Sequence, residues 1–194
     1  MMLRRFAFLA LATAALAACR DTTAITATSS VAPDTLVAYA MTGTSATLPS
    51  ALNMVARTTV RIDGTGNFDF GFDIDNTAAD TTIDILPVRQ LVNVVGGSRS
   101  VGFLQTAVPF DSITRAPNGT YRPDTAFTVR PHQAFVVLTN RSAATDICYY
   151  FATPRVYGKV VIDSVNFTTR AIYLRQVVNP NCGFRSFLTG IPAN

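Results

Sequence analysis

The sequence predicts an all-β fold, an antiparallel β-sandwich or flattened barrel of roughly nine or ten short strands. Three observations carry that expectation. Beyond residue 36 the chain is rich in Thr, Val, Ile and Phe, and turn residues recur roughly every eight to twelve positions. From Asn67 to Asp75 the residues alternate strictly, with Phe68, Phe70, Phe72 and Ile74 on one face and Asp69, Gly71, Asp73 and Asp75 on the other. Helical periodicity is nearly absent, and Pro49 to Met54 is the one stretch that reads as a helical turn.

Taken in order, residues 1–18 read as a targeting segment. Arg4 and Arg5 make a positive start, and Phe6 to Ala18 is an uncharged run. As a helix that run covers about 20 Å, short of the ~30 Å hydrocarbon core of a bilayer, so a cleaved signal accounts for it better than a span. It closes on Leu16-Ala17-Ala18-Cys19, which resembles the lipobox of bacterial lipoproteins. The resemblance implies cleavage before Cys19, acyl chains on its thiol and new amine, and anchorage to a membrane of the bacterial cell envelope. Arg20 stands where that family often carries an Asp for inner-membrane retention, which points to the outer membrane. Residues 19–35 are small, polar and aperiodic, and read as the lipidated cysteine followed by a flexible tether. Residues 36–194 remain as a single domain, of a size that buries about 68–70% of its unfolded surface.

Within that domain Leu36 to Met41 and Asn53 to Ile62 are expected as strands. Asn76 to Asp80 turns the chain after the alternating segment and Thr81 to Leu86 returns it. This hairpin should bury Phe70 and leave Asp73 in water. Val88 to Val95, Ser100 to Val108, Thr125 to Arg130, Gln133 to Asn140 and Ile147 to Thr153 follow as strands. Ala116-Pro117-Asn118-Gly119 forms a turn, because Pro presets one dihedral and Asn-Gly accepts positive φ. Val156 to Phe167 and Arg170 to Val178 make a second, longer hairpin.

Composition bounds the function. Without Arg4 and Arg5 the mature chain carries 14 Arg or Lys against 12 Asp, a net of +2, so nucleic acid is not an implied partner. The charge is uneven: residues 20–84 sum to −5 and residues 85–194 to +7. That division suits pairing across the fold, and alternatively a basic surface for an anion or lipid headgroups. With Cys19 carrying lipid, Cys148 and Cys182 are left as an even pair in an oxidising compartment, and a disulfide between them is expected. A two-cysteine metal site would lack soft ligands nearby.

Three constellations offer chemistry, each with a simpler alternative. Asp69, Asp73 and Asp75 share a strand face, with neighbours roughly 6.6 Å apart, and with Asp80 and Asp84 they suit a hard cation such as calcium. The string lacks the Gly and terminal Glu of a calcium loop, and a solvated strand face accounts for it more simply. His132, the only histidine, sits at a strand junction with no nucleophile motif, and reads as structural. Tyr149, Tyr150, Phe151, Tyr157, Phe167 and Tyr173 lie among Arg155, Arg170 and Arg175, a set that suits either a flat anionic ligand or a sandwich core with a charged rim. No glutamate, one lysine and one histidine argue against an enzyme.

Two further stretches carry a family resemblance. Val108-Pro109-Phe110-Asp111-Ser112-Ile113 with Arg115-Ala116-Pro117-Asn118-Gly119-Thr120-Tyr121, then Tyr157-Gly158-Lys159-Val160-Val161-Ile162, resemble the second half of the HmuY-like haem-binding lipoproteins. The resemblance covers about half of the chain. It implies an all-β lipoprotein that carries haem on His or Met side chains. The mature chain offers His132, Met41 and Met54 for that role, none within a matching ligand motif. The expectation is therefore a membrane-anchored envelope module for an unknown protein or small-molecule partner, with no catalytic residues, resident metal or cofactor. A carrier of haem or another small ligand is the alternative.

Overall fold

A computed structural model describes residues 26–75, 82–92, 99–141, 148 and 154–192 of the chain. The expected all-β class holds: two antiparallel sheets pack face to face and do not close into a barrel. Among the described residues the larger sheet has six strands. These are β1 (Ala32–Tyr39), β6 (Arg99–Gln105), β7 (Arg122–Pro123), β9 (Ala134–Arg141), β10 (Arg155–Asn166) and β11 (Ala171–Asn179), in the spatial order β1-β11-β10-β9-β6-β7. The smaller has five: β2 (Ala51–Asn53), β3 (Thr58–Val60), β4 (Phe70–Asp75), β5 (Thr82–Pro87) and β8 (Phe127–Val129), in the order β3-β2-β4-β5-β8.

Both expected hairpins form. β4 pairs with β5 from Phe70↔Pro87 to Asp75↔Thr82, and β10 pairs with β11 from Tyr157↔Asn179 to Asn166↔Ala171. Phe68, Phe70 and Phe72 are fully buried, and each such side chain stabilises by about 1.5–3 kcal/mol through burial. The Phe70 ring meets Phe103 of β6 at 5.4 Å and Phe135 of β9 at 5.9 Å, edge to face, which locks the two sheets together.

The opposite face of β4 departs from simple alternation. Asp69 lies in a bend just before the strand, not on its water face, and is fully buried. Gly71 is buried because Leu91 and Ile62 lie over it; a Cβ there would stand 2.7 Å from Leu91 Cδ1. Leu91 belongs to a single helical turn, α1 (Val88–Leu91), where a strand was expected from Val88 to Val95. Pro87 ends β5, and the Val88 N–H donates to the Asp69 carbonyl at 2.9 Å, turning the chain back over its own sheet. Residues 93–98 lie outside the described region. Conversely, Pro49 to Met54 supplies β2 rather than a helical turn, because Ala51 and Leu52 pair with Gly71 and Phe70.

The middle of the six-stranded sheet is buried on both faces. Along β10, Val156, Val160 and Ile162 point into the core between the sheets. Tyr157 and Val161 point outward into a second cluster with Phe110, Ile113 and Phe187. Its cover is the 3-10 turn Phe110–Ser112, the loop after it and the C-terminal segment, joined by the bridge Arg115↔Ser186. Two-faced burial explains why Val156–Ile162 reads as continuously apolar apart from Lys159.

The domain also begins earlier than residue 36. Ala27 is buried, and Thr28 and Ser29 donate their N–H groups to Asn181 Oδ1 at 2.8 and 2.9 Å. Val31 and Gly190 exchange two backbone bonds of 2.8 and 3.0 Å. A small, polar, aperiodic segment still has backbone donors, and the Asn181 amide meets them as a neighbouring strand would. The expected disulfide is present: Cys148 and Cys182 are bonded, with Cα atoms 5.6 Å apart. It ties the C-terminal segment to the chain leading into β10.

Candidate functional site

The side of the sandwich where β6 and β7 approach β8 carries a concavity. Phe103 of β6 and Phe127 of β8 meet across it with ring centroids 4.9 Å apart. Gln105 Nε2 donates to the Thr128 carbonyl at 2.8 Å, joining the two sheets where no ladder does. Between them is a hollow of about 300 Å³, lined by Phe103, Gln105, Arg122 and Phe127 among others. Gln105 also borders a second hollow of about 390 Å³ with Val108, Pro109, His132 and Ala134. The two hollows share Gln105; Arg122 lines the first and His132 the second.

Local structure accounts for each wall. β7 has two residues, one of them Pro123, so the edge beyond β6 is short and leaves space. Asp124, at φ 46°, turns the chain from β7 towards β8. Its carboxylate accepts from the Val101 N–H at 3.0 Å and Ser100 Oγ at 2.9 Å, and Arg89 of α1 lies 3.5 Å away. Pro131 and His132 occupy the centre of the turn from β8 to β9, where His132 adopts φ 68° and the Gln133 N–H donates to Arg130 O at 3.1 Å. That is the type II arrangement, with Pro first and positive φ second. It leaves the His132 side chain exposed at the second hollow.

The Asp row is placed differently from expectation. Asp69 Oδ2 accepts from the Met54 N–H at 2.7 Å and Oδ1 from Thr139 Oγ1 at 2.8 Å, so this carboxylate is part of the core. Asp73 is half-buried rather than exposed. It accepts from the Thr42 N–H at 3.1 Å and from the Thr42 hydroxyl, and pairs with Arg170 at 3.3 Å. Arg170 and Asp73 come from the basic and acidic parts of the chain, so charge does pair across the fold here. Asp84 stands opposite Asp73 in the ladder, and burial, then Asp75 and Asp73, push its carboxyl above the ordinary value. Asp80 lies outside the described residues, among which no three His, Cys, Asp or Glu side chains converge as metal ligands.

The described members of the aromatic and arginine set are not brought together. Tyr149, Tyr150 and Phe151 lie outside the described residues. Tyr157 is buried at one end of β10, whereas Phe167 is exposed in the turn at the other. Arg175 is occupied by Asp163 at 2.9 Å. Among the candidate haem ligands Met54 is buried in the core, His132 lines the second hollow, and Met41 lines neither. Cys19 and residues 1–18 lie outside the described residues.

Sequence reasoning passed over Lys159. It is buried on the outer face of β10, its Nζ donates to Phe110 O at 2.7 Å, and it lies 4.3 Å from the Phe110 ring centre. Burial lowers its pKa, partly offset by Asp111. The signal was a lone lysine inside an apolar run. The geometry is that of a satisfied structural cation rather than an exposed nucleophile. Comparison with protein-family models, curated proteins and solved structures yields no match to this chain.

Proposed function

We propose that this chain is a lipid-anchored lipoprotein of the bacterial cell envelope whose β-sandwich acts as a binding module, not an enzyme. The lipobox Leu16-Ala17-Ala18-Cys19 supports the anchor. The two hollows beside β6 are the observation that supports binding: Phe103 and Phe127 with Arg122 in one, and His132 in the other, suit a partly apolar partner with an anionic group. Two experiments test the halves separately. Cys19→Ser should abolish palmitate incorporation and membrane retention; unchanged incorporation would sink the anchor. A photo-crosslinking residue at position 122 should capture a partner in intact cells, whereas one at position 58, on the opposite edge strand β3, should not. Equal capture at both, or none at position 122, would refute the hollows as the binding face.

The haem reading has one observation in its favour, the His132 side chain bordering the second hollow. Haem titration followed by absorbance should then show a ligated spectrum that His132→Ala removes. Identical spectra for the two proteins would exclude His132 as the ligand.

A further inference from the structure

The end of the sandwich from which the chain leaves towards Cys19 is unlike the rest of the surface. Leu188 and Ile191 are 60% and 64% exposed, the most exposed large apolar side chains among the described residues. They flank Gly190, whose backbone is bonded to Val31, so they are held beside the departing chain. The described segments 26–31, 113–121, 154–158 and 179–192 contribute to this end and contain no carboxylate side chain. They do contain Arg115 and Arg155, both exposed, and the Arg155 carbonyl accepts from Gly183.

We propose that this end, with Leu188 and Ile191 set among Arg115 and Arg155, is a lipid-contacting surface that seats the domain directly on an anionic bilayer. The idea rests on the lipobox reading and goes beyond it. Covalent geometry supports it. Because contacts reach back to Ala27, the domain begins eight residues beyond Cys19. Even fully extended, that stretch spans at most about 28 Å. β10 alone, with twelve residues, is about 36 Å long. An anchor shorter than the domain keeps the exit end towards the membrane. There, exposed Leu and Ile enter the boundary between headgroups and acyl chains while arginines meet lipid phosphates. Phe167, also exposed, lies at the far end of β10 and should stay in water.

The chain contains no tryptophan, so one introduced indole reports on one site. The full lipidated protein carrying Ile191→Trp, Leu188→Trp or Phe167→Trp would be reconstituted into phosphatidylglycerol–phosphatidylethanolamine vesicles with brominated acyl chains. The indoles at positions 191 and 188 should lose emission roughly two-fold or more, as expected for groups about 5–10 Å into the interface, and the indole at position 167 should not. Replacing Arg115 and Arg155 by Gln should weaken that quenching. Equal quenching at all three positions, or none at 188 and 191, would overturn the proposal. So would a blue-shifted, concentration-dependent emission without vesicles, which would mean that a second copy of the chain covers the patch. Palmitate labelling and flotation of the same samples report the anchor independently. A labelled, floating Ile191→Trp protein whose indole is unquenched keeps the anchor and loses the surface. An unlabelled Ile191→Trp protein whose indole is quenched does the reverse.

Discussion

Asp69 is a carboxylate with no exposure that accepts from the Met54 N–H and the Thr139 hydroxyl. Removing it strands the Met54 N–H and the Thr139 hydroxyl in the core. Each buried orphan costs about 1–3 kcal/mol, so Asp69→Ala should lower stability in urea melts by roughly 2–5 kcal/mol. Asp73→Ala breaks a half-exposed cluster and should cost about 1 kcal/mol, with no dependence on calcium. Asp84 has the opposite sign. A carboxyl whose folded pKa is raised above 3.8 stabilises the fold only when protonated, and that contribution is lost as pH rises through the folded value. Asp84→Asn should therefore raise stability at pH 7 by less than about 1 kcal/mol, screening being strong at this partly exposed site, and change nothing well below the carboxylate range. Equal effects at both pH values would exclude ionisation of Asp84 as the cause.

At the scale of elements, β4 and β10 are the critical strands. Phe70→Ala removes the ring that touches Phe72, Phe103 and Phe135, and should cost about 3–5 kcal/mol. β10 is crossed by Met54, which reaches over from the turn after β2. A Cβ on Gly158 would stand 2.2 Å from Met54 Cε, and Met54 is fully buried, so it has little room to retreat. Gly158→Ala should cost about 1–3 kcal/mol by overpacking. Combined with Met54→Ala it should cost less than the sum of the two single substitutions, because the new methyl then enters space already emptied. Strict additivity in a double-mutant cycle would show that the two sites do not share that space.

For the whole molecule the Cys148–Cys182 bond acts as a clasp. It holds the C-terminal segment that covers the outer face of the large sheet and, through Asn181, the entering segment at Thr28 and Ser29. With 34 residues of sequence separation it closes a loop worth about 4 kcal/mol on the chain-entropy account. Replacing both cysteines by Ala should reduce stability by roughly that amount. It should also speed hydrogen exchange at Val31 and Gly190 before the core strands respond. Uniform acceleration across both sheets would mean that this end does not open on its own.

Sequence alone determined the class of fold, the two hairpins, the buried faces of Phe68, Phe70 and Phe72, and the cysteine pair. All of these follow from short-range periodicity or from simple counting, which needs no knowledge of neighbours distant in the chain. Tertiary structure decided the rest. Asp69 is buried because a bend interrupts period-2 alternation one residue before β4 begins, and Thr139 lies opposite from 70 residues away. Val88 to Leu91 turns into a helix because the Asp69 carbonyl captures its first N–H. The two hollows that share Gln105 gather Phe103, Arg122 and Phe127 in one and His132 in the other, from separate strands and turns. Their meeting depends on which strands end early at the edges of the two sheets, and a one-dimensional pattern of apolar and polar residues has no means of recording that.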